Sequence, residues 1–341
     1  MIFRRCMRLV AVCLGLTALT WGASRPLEVY FIDVEGGQAT LLIAPSGQSL
    51  LIDTGWPGFE SRDANRIAKV AQRAGVKQID YLLITHFHTD HVGGVPQLAA
   101  LLPIRNFIDH GASIERDADG EKLYQAYLKV RGGGRHIEVT PGSVLPIKGL
   151  RAEVVTAAGK HIERPLAGGG APNPFCAATK LRDVDPSENA QSVGTVFTLG
   201  RFRMVDLGDL TWNKEYDLMC PNNRLGTADV YVVTHHGMNM SGTPAMVGGL
   251  HPRVAIMDNG ATKGGTPEAW DTIHKTEGVQ DIWQVHFAQA GGSAHNAPAE
   301  YIANLQEKPD AGDWIHLTAS EDGSFQVENG RTGFTKKYAA R

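Results

Sequence analysis

Residues 81–94, YLLITHFHTDHVGG, carry three histidines and an aspartate within six positions, directly after an apolar run. The apolar run predicts a buried strand, and the polar residues predict the loop that leaves it. His86 and His88 are two positions apart, so both rings can point toward one metal ion. Asp90 and His91 follow a turn and can face a neighbouring ion. Imidazole and carboxylate ligands suit zinc and similar ions, so we predict a metal-binding loop; the alternative is a histidine-rich surface turn.

A metal site needs ligands from other parts of the chain, and two further strand-like segments end in suitable residues. RFRMVDLGDL brings Asp209 after a strand and a glycine, where one carboxylate can bridge two ions. DVYVVTHHG ends an apolar strand in His235 and His236, and we predict that one of this pair binds metal. Asp53, which ends LLIDTG, is expected to orient the ligand loop through hydrogen bonds rather than to bind metal.

The N-terminus is typical of an export signal. MIFRRCMR contains three arginines, and the apolar stretch LVAVCLGLTALTWGAS follows them. This stretch is short for a full membrane span, and small residues lie at its end. We therefore expect residues 1–23 to be a cleaved signal peptide and the rest to be exported to the periplasm or the outside. The alternative is a single membrane anchor.

Charge and cysteine content limit the partners of the chain. The formal net charge is −3, and removal of the three arginines of the leader makes it −6. A mildly acidic protein has no overall field that attracts nucleic acid, so a nucleic-acid partner is unsupported by charge. A small-molecule or phosphoester substrate would instead be bound locally, by metal. Cys176 and Cys220 lie outside the leader, and the sequence leaves open whether they form a disulfide.

Strand-like and helical segments alternate along residues 24–341, which predicts a single α/β domain. The strand patterns include LEVYFIDV, IRNFID, RAEVVTA and the closing hairpin WIHLTASEDGSFQVENG, and helical spacing is clear in SRDANRIAKVAQRAGV. Residues 159–188 are the least regular part. They are rich in glycine and proline, and strand patterns resume on both sides, so we predict a lid-like insertion rather than a linker.

SLLIDTG, THFHTDHVGG, LGDL and VVTHHG, in this order, resemble the successive motifs of the metallo-β-lactamase superfamily. VYFIDVEGGQATLLIAPSGQSLLIDTG and HHGMNMSGT also resemble the hydrolase domain of ComEC-type competence proteins and their phosphorylcholine-esterase relatives. The resemblance implies a four-layer αββα sandwich with the site at one edge of its two sheets. It implies His86 and His88 on the first ion, Asp90, His91 and His235 on the second, and Asp209 between them. His235 is preferred to His236 because it directly follows the strand.

The chain departs from the superfamily pattern at two places. Many members carry a further histidine on the first ion, whereas the equivalent stretch here, PSENAQSVGTVFTLG, has none. Asn189 or water is therefore expected at that position, with His161 of the lid as a less favoured substitute. Gln38 stands where relatives carry an acidic residue facing the site. His295 is a candidate substrate contact, with a helix-capping role as the alternative, and Lys263 is a weaker candidate for binding an anionic group.

The predicted chemistry is hydrolysis. Two adjacent ions, zinc or alternatively manganese, would lower the pKa of a bound water, and Asp90 or Asp209 would take its proton. This chemistry suits phosphoesters, lactones and β-lactams alike, and the fold does not choose among them. We predict an exported metal-dependent hydrolase acting on a phosphoester. The alternatives are a lactonase or β-lactamase-type acyl hydrolase and a non-catalytic metal-binding or surface-binding protein; the oligomeric state stays open.

Overall fold

The computed structural model describes residues 25–306 and 311–341. The predicted signal peptide lies outside these residues. In the described part of the chain, no helix is both long enough and apolar enough to cross a membrane.

The described residues contain seventeen strands. They are β1 (Leu27–Phe31), β2 (Thr40–Ile43), β3 (Ser49–Ile52), β4 (Ile79–Leu83), β5 (Ile104–Asp109), β6 (Arg135–Glu138), β7 (Arg151–Ala157), β8 (Lys160–His161), β9 (Gly194–Leu199), β10 (Phe202–Asp206), β11 (Val230–Val232), β12 (Val254–Met257), β13 (Asp281–His286), β14 (Ile302–Asn304), β15 (Ile315–Ala319), β16 (Phe325–Asn329) and β17 (Thr335–Tyr338).

The same residues form seven α-helices. They are α1 (Arg62–Arg73), α2 (Thr89–Val92), α3 (Val95–Ala99), α4 (Ala118–Arg131), α5 (Trp212–Met219), α6 (Pro244–Leu250) and α7 (Pro267–His274). Short 3-10 turns connect several elements, and two of them, Glu188–Gln191 and Thr234–Gly237, lie near the site described below.

The strands form two mixed sheets. The first has the order β17-β16-β15-β1-β2-β3-β4-β5-β6, and the second has the order β14-β13-β12-β11-β10-β9-β7-β8. Strands β3 to β6 run parallel, as do β10 to β14, and helices connect most of these parallel neighbours. The carboxyl ends of parallel strands meet at one edge of a sheet, so the loops that leave them collect there.

Three buried apolar clusters define four layers. The largest joins side chains of both sheets, among them Phe31, Ile52 and Trp283, and forms the interface between the sheets. A second packs the outer face of the first sheet against α1, α3 and α4, and a third packs the outer face of the second sheet against α5, α6 and α7. The layers are therefore helix, sheet, sheet, helix, and the predicted αββα sandwich is confirmed.

The irregular segment 159–188 contains β8 and a 3-10 turn at Pro174–Ala178, with little other regular structure. A disulfide joins Cys176 in this segment to Cys220 at the end of α5, which settles the pairing that the sequence left open. The bridge spans 44 positions. A loop of that length corresponds to about 4 kcal/mol of stabilisation in the chain-entropy model of disulfides.

Candidate metal centre

Four buried side chains converge where the loops of the two sheets meet. Asp90 and His91 lie in α2, which follows β4, Asp209 lies in the loop after β10, and His236 lies in the turn after β11. One ligand atom from each of the four lies within 4.8 Å of all the others. The topology therefore brings together residues up to 146 positions apart.

The distances within this group suit a divalent ion. His91 Nε2 lies 3.2 Å from Asp209 Oδ2 and 3.3 Å from Asp90 Oδ2. His236 Nε2 lies 3.3 Å from Asp209 Oδ1 and 3.4 Å from Asp90 Oδ2. The two Nε2 atoms face each other at 3.2 Å, and in the described residues Asp209 Oδ1 is buried without a hydrogen-bond partner. Two imidazole nitrogens and two carboxylate oxygens aimed at one point are a donor set that fits zinc or a similar first-row ion.

The structure places His236, and not His235, in this group. The prediction preferred His235 because it follows the strand directly, with His236 as the alternative, and in the structure it is His236 whose ligand atom joins the group. Both residues have positive φ, 58° for His235 and 55° for His236, so the backbone reverses direction immediately after β11. In such a left-handed turn, proximity to the strand does not decide which ring faces the site.

His235 and His86 also lie near Asp209, and His88 lies next to His86. His235 Nε2 is 3.3 Å from Asp209 Oδ2, and His86 Nε2 is 4.0 Å from the same oxygen. His86 Nε2 also lies 3.1 Å from His88 Nδ1, and His88 Nε2 lies 3.2 Å from Glu115 Oε1. Asp209 is thus shared by four histidines, as expected of a carboxylate that bridges two ions.

The other proposed contacts of the first ion have different surroundings. Asn189 is buried, and its Oδ1 has no hydrogen-bond partner among the described residues. Its neighbour Glu188 accepts hydrogen bonds from the backbone N–H groups of Phe87 and Ile114, which fixes this turn against the metal loop. His161 lies in the β7–β8 hairpin and hydrogen-bonds the Ile162 carbonyl, outside the group.

His295, the candidate substrate contact, pairs with a backbone carbonyl and a helix residue. Its Nδ1 lies 3.2 Å from the Gly291 carbonyl oxygen, and its Nε2 lies 3.8 Å from Asp271 of α7. These contacts tie together a surface turn and a helix. They match the structural role that the sequence left open for this residue.

Hydrogen bonds orient the rings. His91 Nδ1 lies 2.7 Å from Asp53 Oδ2, and Asp53 also accepts hydrogen bonds from Thr85 N at 2.8 Å and Thr85 Oγ1 at 2.6 Å. A carboxylate can only accept, so His91 donates from Nδ1 and turns Nε2 to the site. Ser241 Oγ donates to the Leu210 carbonyl at 2.7 Å, so it accepts from His235 Nδ1 at 3.2 Å. His235 therefore also presents Nε2 to Asp209.

Sequence reasoning missed one acidic neighbour of this network. Asp258 Oδ1 lies 3.4 Å from His236 Nδ1, a close ion-pair distance without the hydrogen bond that Asp53 forms with His91. Asp258 ends the strand segment RVAIMDN, in the same way that Asp53 ends SLLIDTG. An acidic residue directly after an apolar strand was the available signal.

The group is strongly charged without an ion. Burial by itself raises the pKa of Asp209, but His235, His236 and His91 lower it, and the resulting pKa lies well below the ordinary value. Burial lowers the pKa of His236, but Asp209 above all raises it, to about 10. A proton on His236 would occupy the side of the ring that binds a cation, so metal binding should release it.

Gln38 has a buried partner. Its Nε2 donates to Asp206 Oδ2 at 2.7 Å, and its backbone N–H donates to the Asp90 carbonyl at 3.2 Å. Burial raises the pKa of Asp206 to about 7. Next to it, a Cβ on Gly37 would lie 2.3 Å from the Asp90 carbonyl oxygen, so only glycine fits there. Where relatives carry an acidic residue, Gln38 thus donates a hydrogen bond to a carboxylate at the end of β10.

A second acidic group adjoins the same loop. Asp33, Glu35 and His286 have ligand atoms within 4.8 Å of one another. Arg66 Nη1 lies 2.8 Å from Asp33 Oδ2, and His286 Nε2 lies 2.7 Å from Asp33 Oδ1. Burial lowers the pKa of His286, but Asp33 and Glu35 raise it to about 9, so the ring carries a charge that balances the acids. We interpret this group as an ion-pair network that supports the loop before Gln38.

Replacing Asp53 with asparagine is expected to weaken metal binding by about 10- to 100-fold, the usual effect of losing an outer partner of a ligating histidine. Asparagine keeps the size of the side chain and tolerates the φ of 58° at this position, but it no longer holds His91 with a charged acceptor. Competition with a metal-binding dye measures the affinity. Unchanged affinity would contradict the orienting role.

Comparison with known proteins finds a family match in the first half of the chain. Residues 33–176 match the family model of the metallo-β-lactamase superfamily. That match, which includes the metal loop, is to the metallo-β-lactamase superfamily. This confirms the superfamily that the four motifs predicted. The superfamily is one of metal-dependent hydrolases.

Several curated proteins are similar to parts of this chain. ComE operon protein 3 of Bacillus subtilis is 28% identical over 249 residues, which cover 68% of this chain and 28% of that protein. A ribonuclease Z of a Bradyrhizobium species is 31% identical over 115 residues, covering 31% of this chain and 35% of that protein. The chain spans between 21% and 35% of the length of the curated relatives it matches.

Solved structures with this fold include two that align over most of the chain. The metallo-β-lactamase fold protein YhfI of Bacillus subtilis aligns with a TM-score of 0.44 and 13% identity, over 76% of this chain and 96% of that one. A diphosphatase of the PhnP family aligns with a TM-score of 0.41 and 12% identity, over 87% of this chain and 98% of that one.

Proposed function

We propose that this chain is an exported hydrolase that uses a bound divalent metal to cleave a phosphoester. The observation that carries the proposal is the buried convergence of Asp90, His91, Asp209 and His236, whose ligand atoms lie within 4.8 Å of one another. These four residues would hold one ion, and His86, His88 and His235 would face a second across Asp209. Zinc suits this donor set, with manganese as the alternative. Ions held there would supply an activated water and polarise the bond that breaks.

The residues of the chain itself perform the remaining tasks. Asp53 and Ser241 hydrogen-bond the Nδ1 atoms of His91 and His235 and fix the direction of those rings, and Asp258 lies 3.4 Å from His236 Nδ1. The Asp90 side chain is 9% exposed against 3% for Asp209, so Asp90 lies nearer to solvent and is placed to accept a proton during attack. Burial of the whole group excludes water from the other ligand atoms and strengthens each electrostatic interaction.

The choice of a phosphoester over an acyl substrate is supported by three observations. The ribonuclease Z relatives are named for cleavage of a nucleic-acid phosphodiester. A cationic side chain, Lys263, lies at the same site, and it suits a substrate with its own negative charge. The chain as a whole is mildly acidic, so a small phosphoester bound locally fits better than a long nucleic acid. Export is supported by the basic and apolar leader in residues 1–23.

A substrate panel tests this proposal. Purified protein reconstituted with zinc is assayed against bis-p-nitrophenyl phosphate, a lactone and nitrocefin, with chelator-treated protein as the control. We expect turnover of the phosphodiester that disappears with the chelator and returns with added metal, because the ion supplies the activated water. Turnover of the lactone or nitrocefin alone would overturn the phosphoester assignment. Metal binding with no turnover of any ester would favour a non-catalytic binding protein.

A further inference from the structure

Lys263 lies directly on the metal-ligating face of Asp90. Its Nζ contacts Asp90 Oδ2, the same oxygen that faces His91 and His236. The ammonium also lies 5.2 Å from the centre of the Trp56 ring, within cation–π range. About 27% of the Lys263 side chain is exposed, so the charge stands at the boundary between the buried group and solvent.

The loop that carries Lys263 is built onto the histidine turn. Gly265 N donates to the His236 carbonyl at 3.0 Å, and Thr266 N donates to the Gly237 carbonyl at 2.9 Å. These bonds connect the lysine loop to the turn that carries His236. Backbone hydrogen bonds therefore fix the loop that carries Lys263 relative to the metal centre.

The other side of the lysine loop is also closed. Gly260 N donates to the Lys263 carbonyl at 2.9 Å and tightens the loop. Gly36 packs against it so closely that a Cβ at Gly36 would lie 2.8 Å from Lys263 Cβ. The glycines of VEGGQA and GATKGGT thus fit one segment against the other. They leave the long side chain of Lys263 directed at Asp90.

Metal binding changes what this ammonium can pair with. Without an ion, Lys263 neutralises part of the charge of Asp90. An ion coordinated by Asp90 takes over that charge, so Lys263 then lies beside a second cation and gains by binding an anion. Asp90 is one of the proposed metal ligands, where hydrolysis would take place. An anion bound by Lys263 beside Asp90 would therefore be the substrate.

We infer that Lys263 is a substrate-binding residue that donates to an anionic oxygen of the phosphoester. This inference rests on the proposed function and names the residue that would select charged substrates at that site. An ammonium is a compact donor that suits a phosphate oxygen, and the Trp56 ring holds it in place. The competing role is purely structural, in which Lys263 only balances Asp90 when metal is absent.

The experiment compares Lys263→Ala and Lys263→Arg with Lys275→Ala. Lys275 is an exposed lysine in an ion pair with Asp271 next to α7, so it controls for the loss of a surface charge. Zinc-loaded proteins are tested for binding of inorganic phosphate by calorimetry and for metal content by elemental analysis. They are also assayed with bis-p-nitrophenyl phosphate and with an uncharged phosphotriester.

We expect Lys263→Ala to weaken phosphate binding by about 10- to 100-fold, the usual effect of losing a charge-assisted hydrogen bond. Metal content should be unchanged, KM should rise for the charged ester and not for the neutral one, and arginine should restore part of the affinity. Phosphate affinity equal to that of the unaltered protein, or loss of metal in Lys263→Ala, would overturn the inference. Phosphate binding is measured without turnover, so a protein that hydrolyses no phosphoester would refute the proposed function separately.

Discussion

Replacing Asp209 with asparagine is expected to remove bound metal and to lower kcat/KM by more than about 100-fold. Loss of a residue that only hydrogen-bonds a metal ligand typically costs about 10- to 100-fold, so a larger loss indicates direct binding of metal. Asp209 is the carboxylate shared by four imidazoles. Its oxygens lie 3.2 Å from His91 Nε2, 3.3 Å from the Nε2 atoms of His235 and His236, and 4.0 Å from His86 Nε2. Asparagine has nearly the same shape but cannot carry the charge that holds two ions together. Elemental analysis and hydrolysis assays measure the two effects.

Asp206→Asn is the matched control for this variant. Asp206 lies three positions earlier on the same strand end and is also buried, but it accepts from Gln38 and Gly208 and has no histidine partner within residues 25–306 and 311–341. Burial raises its pKa to about 7, so the folded protein already accommodates a protonated carboxyl there near neutral pH. We expect this variant to keep its metal. Full metal content in Asp209→Asn, or equal losses in both variants, would disprove the bridging role.

The second large effect separates the two adjacent histidines. His236→Ala is expected to abolish tight binding of the ion that Asp90 and His91 hold, because it removes one of two nitrogens that face each other at 3.2 Å. His235→Ala should leave that ion in place and weaken the other, since His235 contacts Asp209 Oδ2 and lies outside the four-residue group. The expected result is a different stoichiometry or affinity for each variant, measured by metal titration of the metal-free protein.

The difference between these two variants is the decisive observation. Both remove a buried imidazole from one turn, so a general loss of stability would affect them alike, and thermal unfolding of the metal-free proteins provides that comparison. If His235→Ala loses the ion held by Asp90 while His236→Ala retains it, then the assignment from strand order was right and the geometric one is wrong.

Much of the fold followed from local pattern. The alternation in LEVYFIDV and the helical spacing in SRDANRIAKVAQRAGV correspond to β1 and α1, and the closing hairpin corresponds to β15 and β16. Helix α6, PAMVGGL, was not predicted because its two glycines give it low helix propensity. Thr243 caps it by accepting from Met246 N at 2.9 Å, and its buried side chains pack on the second sheet. Tertiary packing therefore outweighs propensity in this helix.

The candidate metal loop could be selected from sequence because its residues are close together in the chain. His86, His88, Asp90 and His91 are four of six consecutive residues after a strand, and Asp209 also follows a strand, so residue type and strand period were enough to select them as candidates. The family of the chain followed from the order of these motifs. Asp53 could be assigned an orienting role for the same reason, since it ends a strand beside the loop.

Only the tertiary structure decided which side chains face one another across the site. The choice of His236 over His235 depends on the positive φ values of both residues, and contacts from distant loops hold that turn: Gly208 accepts from His235 N, and Gly265 donates to the His236 carbonyl. The contact between Lys263 and Asp90 joins residues 173 positions apart. Residue type and spacing along the chain report where a strand ends, but the direction of a ring beyond that end is determined by backbone dihedrals and hydrogen bonds that remote segments supply.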